Sequence, residues 1–252
     1  MEQQLTLDEA HGRGFELVRA HTERFIGYLE GLSEADIATP VPGLRWTVGE
    51  TVAHVRSVYG RYTADPRRAA SPQAVATQNA EDIVEAGVDV KAASVFIADQ
   101  LTYLEAVVPH LAPERLFPFH AGQLTTMAGG WGNLLGELHA HGDDIARATG
   151  QPFWIPSEDL EILWRFTAPV LQGWVRAEAR DLVEDWRLRF PFGAVDAVLD
   201  HGALRWDIRS AEDPEHVVEV ADVAGFTLVF PYRRRPVTDP TTALLVSRFT
   251  DL

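Results

Sequence analysis

The sequence predicts an α+β protein in which a helical bundle, residues 1–155, precedes a smaller α+β domain, residues 156–252. Up to about residue 150, apolar residues recur at the spacings of one helical face. After about residue 180, apolar and polar residues alternate with period two, as they do in half-buried strands. This change of period is the main reason for dividing the chain into two parts.

The first two helices are predicted at residues 7–31 and from Thr47 to just before Pro66. In the first, leucine, valine and phenylalanine recur on one helical face. The second begins at Thr47 because a threonine followed three residues later by a glutamate, Glu50, forms a capping box. The segment between them, residues 38–46, contains two prolines and a glycine and is therefore expected to be a loop.

The rest of the helical region is less uniform. Residues 65–88 are polar and interrupted by prolines, which predicts a partly helical connection. Residues 89–111 have a strong helical pattern, and residues 115–130 are expected to be turn-rich or briefly extended. The helical pattern returns at residues 131–149, and Gly150 is a natural helix stop.

The C-terminal part is predicted to open with a helix near Ser157, which Pro169 should kink or split. Residue alternation and composition then predict strands at residues 186–192, 203–210, 217–223 and 226–232. Residues 241–249 are expected to form a closing helix. Strands that follow a run of helices favour the α+β class.

Charge and hydropathy exclude two classes of partner. The net charge is −15, and the only basic cluster is Arg233, Arg234 and Arg235. A phosphate backbone would be repelled, so we expect no nucleic acid partner. No stretch reaches the ~20 apolar residues of a membrane helix, and the N-terminus lacks the pattern of a signal peptide. We therefore expect a cytoplasmic protein without a membrane partner.

The chain contains no cysteine. This excludes a disulfide framework, a thiolate metal site and a protein thiol nucleophile. Any thiol chemistry must therefore use a thiol brought in by a small molecule. Lys91 is the only lysine among 22 basic residues, a bias that a GC-rich genome explains.

The most informative segment is GELHAHGDDIARATGQP, residues 136–152. Glu137 and His141 are four residues apart, so they share one helical face and can bind one ion together. His139 lies two residues from each and points elsewhere. Asp144 lies three residues beyond His141, where it can act as a further ligand or orient the histidine. Such a pair alone is common on solvated helices, so a third ligand is needed.

His54 is the candidate for that third ligand. It lies in WTVGETVAHVRS, where its neighbours Val52, Ala53 and Val55 are apolar. A lone histidine in such surroundings usually belongs to the core. The combination of His54 with the Glu137–His141 pair, rather than either alone, favours a metal site.

Two segments carry a family resemblance. VPGLRWTVGETVAHV places Trp46 eight residues ahead of His54, and the second segment has Glu137 and His141 four apart. Together they resemble the two motifs of the mycothiol-dependent maleylpyruvate isomerase family, part of the DinB-like superfamily of metal-binding four-helix bundles. The resemblance covers roughly residues 5–155 and places the motifs on the second and fourth helices of the bundle.

The resemblance implies a fold, a metal and a cosubstrate. It implies a DinB-like bundle followed by an α+β domain related to sterol carrier proteins. His54, Glu137 and His141 would hold a divalent metal, with Zn²⁺ the expected ion, although Fe²⁺ and Ni²⁺ also suit two imidazoles and one carboxylate. In an actinobacterial source the cosubstrate would be mycothiol; another low-molecular-weight thiol is the alternative.

Arginines are the natural anchors for an anionic substrate. Arg233 and Arg235 follow a predicted strand and should share one face, so we expect them to be catalytic residues. The alternative is a solvated strand end. Trp46 is expected in the core rather than facing substrate, and Asp143 at a solvated helix end.

The sequence is compatible with three hypotheses about function. The first is a metal-dependent thiol transferase or thiol-assisted cis–trans isomerase acting on an electrophilic small molecule. The second is a non-catalytic protein that binds a metal or a small ligand, and the third is a metal-free enzyme on the same scaffold. The first is favoured because the ligand spacing is intact, and either a monomer or a homodimer is expected.

Overall fold

The computed structural model describes residues 5–156, 159–206, 213–221 and 236–250. Within these residues the α-helices are α1 (Leu7–Leu29), α2 (Glu34–Ile37), α3 (Val48–Thr63), α4 (Pro72–Ala86), α5 (Val90–Val107), α6 (Met127–Thr149), α7 (Leu160–Val170) and α8 (Pro240–Val246). The strands are β1 (Leu116–Pro118), β2 (Leu124–Thr126), β3 (Val183–Phe190), β4 (Gly193–Asp200), β5 (Ala203–Trp206) and β6 (His216–Glu219). The predicted class, α+β with the helices first, is confirmed.

Four long helices form the predicted bundle. α1 packs against α5 and α6, and α3 packs against the same two helices from the other side. Phe25, Val52, Ile97 and Leu138, one from each helix, are fully buried where these helices meet. Burying a side chain of this size stabilises the fold by about 2 kcal/mol. The bundle thereby places α3 beside α6.

The helix ends follow local rules. Thr47 accepts a hydrogen bond from the Glu50 amide while the Glu50 carboxylate accepts from the Thr47 amide, so the predicted capping box is present. Gly150 ends α6 in the left-handed conformation, with φ 72°. α6 begins at Met127, four residues before the predicted start, because the Thr126 side chain caps it. The glycine-rich first turn had concealed this start from the hydrophobic pattern.

The connection at residues 65–88 is more helical than predicted. α4 occupies most of it, with Ser71 as N-cap and Pro72 in the first turn. The helix lies on the outside of the bundle against α3 and buries little apolar surface, which explains its weak pattern. Val84, near its C-terminal end, is 84% exposed. The expected excursion at residues 115–130 contains the antiparallel β1–β2 hairpin.

The C-terminal strands form one sheet in the order β5-β4-β3-β6. β3 pairs antiparallel with β4 and parallel with β6. β4 was not predicted from the sequence. The strand predicted at residues 226–232 lies outside the described residues, as does the end of the one at 203–210. The closing helix is confirmed as α8, which contacts β6.

The helix that follows the bundle packs along α6. Its α-helical part runs to Val170, and a 3₁₀ turn continues over Leu171–Trp174, so the break predicted at Pro169 is observed. Gly132 allows the close approach, because a Cβ there would lie 2.4 Å from the Ile162 carbonyl oxygen. None of the described helices combines the length and apolar character that a membrane crossing requires. The domain boundary near residue 155 stays a prediction.

Candidate metal centre

The structure brings the three predicted ligands together. His54 lies on α3, and Glu137 and His141 lie one turn apart on the facing side of α6. Nε2 of His54 is 3.3 Å from Oε2 of Glu137, and Nε2 of His141 is 3.2 Å from the same oxygen. The two imidazole rings meet edge to face, with centroids 4.9 Å apart. We call these three residues the triad.

The triad is buried, and its charges are coupled. Burial lowers the pKa of His54 to about 4. Burial alone would raise the pKa of Glu137, but hydrogen bonds from His141 and His54 outweigh it and lower that pKa. Burial likewise opposes the charged form of His141, yet hydrogen bonds to Asp144 and Glu137 raise its pKa. Glu137 is therefore a carboxylate at neutral pH.

Hydrogen bonds fix the tautomer of His141. Its Nδ1 lies 3.0 Å from Oδ2 of Asp144, and a buried carboxylate accepts rather than donates, so Nδ1 carries the proton. Nε2 then faces Glu137 and His54; it donates to Glu137 in the protein without metal, and its lone pair would be directed at a metal bound there. Arg147 holds Asp144 through Nη2 and donates from Nη1 to the Pro42 carbonyl oxygen, 3.1 Å away. The loop ahead of α3 is thereby tied to α6.

The triad fits a divalent metal. Ligands of a tetrahedral zinc at 2.0–2.1 Å lie about 3.3 Å from one another, which matches the two nitrogen–oxygen distances in the triad. Two imidazoles and one carboxylate also suit Fe²⁺ and Ni²⁺. His54 Nδ1 has no hydrogen-bond partner among the described residues, so its ring is oriented by packing. Trp46 supplies part of that packing, with centroids 5.0 Å from His54 and 6.2 Å from His141.

Replacing Asp144 with asparagine is expected to weaken metal binding by about 10-fold, because the neutral amide polarises the His141 ring less than the carboxylate does. Competition with a chromophoric chelator measures the affinity. The matched control is Asp143→Asn, which neutralises the carboxylate 3.1 Å from Nε of the same arginine, Arg147, and should keep the affinity. Equal affinities for both variants and the native chain would contradict the orienting role of Asp144.

A second buried cluster contains two histidines and one carboxylate: His21 on α1, His139 on α6 and Asp159 just before α7. As expected, His139 points away from the triad. Oδ2 of Asp159 lies 2.8 Å from Nε2 of His21 and 2.9 Å from Nε2 of His139. We call these residues the His–Asp–His cluster.

The His–Asp–His cluster is arranged for hydrogen bonds rather than for an ion. Arg24 can only donate, and its Nη2 faces Nδ1 of His21, so the proton of that ring lies on Nε2. A metal on Nε2 would move the proton to Nδ1. There the N–H of His21 would face the N–H of Arg24, with no acceptor between them. The distances of 2.8 and 2.9 Å are also those of N–H···O bonds. The cluster thus links α1, α6 and the start of α7.

The triad faces a cavity of about 280 Å³. α3 and α6 form one wall, and the β1–β2 hairpin and the end of α5 form another. Phe166 and Trp174, from the chain after residue 155, also line it, so that part of the protein contributes to the site. The cavity is also lined by Trp46, Val58, Arg61, Tyr62, Arg68, Leu104, Arg115, Phe117, Phe119, His120 and Asn133.

Several expectations about single residues change. Trp46 lines the cavity against both histidines instead of lying in the core, because α3 begins directly after it and turns it towards His54. Asp143 is 5% exposed and paired with Arg147, so it does not lie at a solvated helix end. Arg233 and Arg235 lie outside the described residues. His120 was missed, since a single histidine in a turn carries no spacing signal.

Comparisons with known proteins identify the family and the fold of this chain. Residues 18–146, just over half of the chain, match the family described as the mycothiol maleylpyruvate isomerase N-terminal domain, and the triad lies within that range. The crystal structure of the mycothiol-dependent maleylpyruvate isomerase has the same fold, with TM-score 0.51 and 16% identity over 89% of this chain and 88% of that chain. A histidine-to-alanine mutant of that isomerase aligns with TM-score 0.47 and 15% identity over the same shares. No curated protein sequence matches the chain.

Proposed function

Since the chain belongs to the mycothiol maleylpyruvate isomerase N-terminal domain family, we propose that it is a metal-dependent enzyme with a low-molecular-weight thiol as cosubstrate. The thiol is mycothiol, and the reaction is the cis–trans isomerisation of an electrophilic small molecule. His54, Glu137 and His141 hold the metal, which is Zn²⁺.

One observation carries the proposal: the triad converges on the edge of a cavity. Three protein donors leave coordination positions for a thiol, which separates a catalytic metal from a closed structural one. A protein that only stores a metal needs no adjoining apolar cavity. A metal-free enzyme would need one triad member free to move a proton, whereas Glu137 is engaged by both histidines at once.

The residues around the triad have distinct tasks. A metal held there would lower the pKa of a coordinating thiol and so would supply a thiolate near neutral pH. Asp144 keeps the Nε2 lone pair of His141 directed at the site. Phe119, Phe166 and Trp174 form an apolar wall that excludes water from the reacting groups. Because the chain has no cysteine, the added thiol meets no competing protein thiol.

The reaction needs a thiol that adds and then leaves. Addition of the thiolate to a conjugated cis double bond converts it to a single bond, about which the molecule rotates before the carbon–sulfur bond breaks. A thiol transferase shares the first step and differs in keeping the sulfur in its product. Arg233 and Arg235 are proposed, from the sequence alone, to bind carboxylates of the electrophile.

The test is an assay of purified, zinc-loaded protein with mycothiol and maleylpyruvate. The expected result is the trans isomer, formed only when both thiol and metal are present, with no net consumption of thiol. Accumulation of a thioether instead would make the enzyme an S-transferase. Binding of metal and thiol without either product would support the non-catalytic alternative and overturn the proposal.

A further inference from the structure

His120 lies across the cavity from the triad and has no role in holding a metal. It follows β1, at the start of the turn of the hairpin, and is 5% exposed. The amide of Ala69 donates to its Nδ1 at 2.8 Å, and the amide of Ala121 donates back to the Ala69 carbonyl oxygen, also at 2.8 Å. This pair of contacts holds the ring against the cavity wall.

The contact with Ala69 fixes the tautomer of His120. A backbone amide can only donate, so Nδ1 is the acceptor and the proton lies on Nε2, at the opposite edge of the ring. Burial, assisted by the charges of Arg61 and Arg68, lowers the pKa of this histidine to about 4. The ring is therefore neutral at pH 7. No group among the described residues accepts the Nε2 proton in a hydrogen bond, and the ring borders the cavity.

The backbone beside His120 is strained. Ala121 has φ 55° and ψ 31°, a left-handed conformation that is unfavourable for a residue with a Cβ. The turn is closed by the Phe119 amide, which donates to the Gln123 carbonyl oxygen at 2.7 Å. Gly173 leaves room for the Ala121 side chain, since a Cβ there would lie 3.0 Å from that of Ala121. Strain held in place next to a cavity is typical of functional positions.

The potential around His120 favours negative charge. Arg68 donates from Nε to the Pro118 carbonyl oxygen and from Nη2 to that of Arg61, and forms no ion pair within the described residues. Its charge is therefore not cancelled by a carboxylate contact. Arg61 is paired with Asp82, and Glu137 acts on His120 from the other side of the cavity. An N–H donor close to the positive charge of Arg68 can stabilise an oxygen that becomes negatively charged during a reaction.

We propose that His120 is a catalytic residue whose Nε2–H donates a hydrogen bond to the carbonyl oxygen of the electrophile. The inference rests on the proposed function and adds a residue to it. When the thiolate sulfur bonds to the carbon β to the carbonyl, the C=C electron pair shifts to a new double bond at the carbonyl carbon. The carbonyl pair moves onto oxygen, where His120 stabilises the enolate. Expulsion of the thiolate returns these electrons, so no net proton is transferred.

Two substitutions separate this role from a structural one. In His120→Asn the side-chain oxygen can still accept from Ala69, but no donor reaches the position of Nε2. In His120→Gln a donor reaches that position, and the acceptor for Ala69 is lost. A catalytic role predicts the greater loss in the asparagine variant, whereas a purely structural role predicts it in the glutamine variant.

The measurements combine binding with turnover. The probe is acetylpyruvate, a 2,4-diketo acid whose enolate resembles the charged intermediate but lacks the electrophilic double bond. Calorimetry should show about 10-fold weaker binding to His120→Asn than to the native chain or His120→Gln. Isomerisation of maleylpyruvate should fall by about 100-fold in kcat for His120→Asn and by less for His120→Gln. The ring ¹⁵N signal of Nε2 should shift when acetylpyruvate is added.

The outcomes are distinguishable. Unchanged binding and kcat in His120→Asn, an absent ¹⁵N shift, or a larger loss in His120→Gln would each overturn the role of His120. If the native chain does not isomerise maleylpyruvate, the proposed function fails, while the acetylpyruvate comparison still decides whether His120 binds an enolate oxygen. Metal content, measured in all three proteins, should be equal.

Discussion

Replacing His141 with alanine is expected to reduce the metal content from about one ion per chain to none and to abolish thiol-dependent isomerisation. His141 contributes one of two nitrogen donors and is the ligand whose orientation Asp144 and Arg147 fix. Its loss leaves only His54 and Glu137 as ligands, and two protein ligands are too few to hold a catalytic metal. Elemental analysis of the purified variant, after reconstitution with zinc, measures the first effect, and the maleylpyruvate assay measures the second.

The matched control lies two residues away on the same helix. His139→Gln keeps a donor for Asp159 in the His–Asp–His cluster and leaves the triad intact, so it should retain about one metal ion per chain. One ion remaining in His141→Ala would mean that the His–Asp–His cluster binds metal and that its hydrogen bonds were misassigned. Loss of the ion from His139→Gln would lead to the same conclusion.

A second large effect is expected from Gly132→Ala, which should lower the free energy of unfolding by about 2 kcal/mol. The added methyl group would lie 2.4 Å from the Ile162 carbonyl oxygen and 2.7 Å from Cβ of Phe166. Backbone atoms cannot turn aside as a flexible side chain can, so α7 must move away from α6. Overpacking of this kind costs about 3 kcal/mol, and the better helix propensity of alanine offsets about 1 kcal/mol.

Urea denaturation followed by circular dichroism measures the change, and Gly12→Ala is its control. Gly12 lies within α1 with open space where a Cβ would be, so the same substitution should stabilise the protein by about 0.5–1 kcal/mol. Because Phe166 lines the cavity, Gly132→Ala should also reduce isomerase activity in the folded protein. Equal stability of the two variants would contradict the close contact between α6 and α7.

Local rules account for what could be read from the sequence. The spacing of Glu137 and His141 places both on one face of a helix whatever the rest of the chain does. The Thr47–Glu50 capping box and Gly150 set helix ends through hydrogen bonds a few residues long. α4 was predicted only as part of a partly helical connection, because it buries little apolar surface. β4 was missed because its sequence lacks a clear alternation. His54 was predicted as a ligand from its combination with the Glu137–His141 pair and from the family resemblance, because a lone histidine on an apolar face gives no signal of its own.

Contacts between residues distant in sequence could not be predicted from the sequence. His21 and Asp159 are separated by most of the bundle, and only the packing of α1 and α7 against α6 makes them one cluster. Which nitrogen of each histidine carries the proton depends on a single neighbour: Arg24 for His21, Asp144 for His141 and Ala69 for His120. The long helices of the bundle and the Glu137–His141 pair could be predicted from the sequence alone, because they depend on interactions within a few residues. The cavity, the second cluster and the proton positions were decided by the tertiary structure, because hydrogen bonds between separate elements form only once those elements pack.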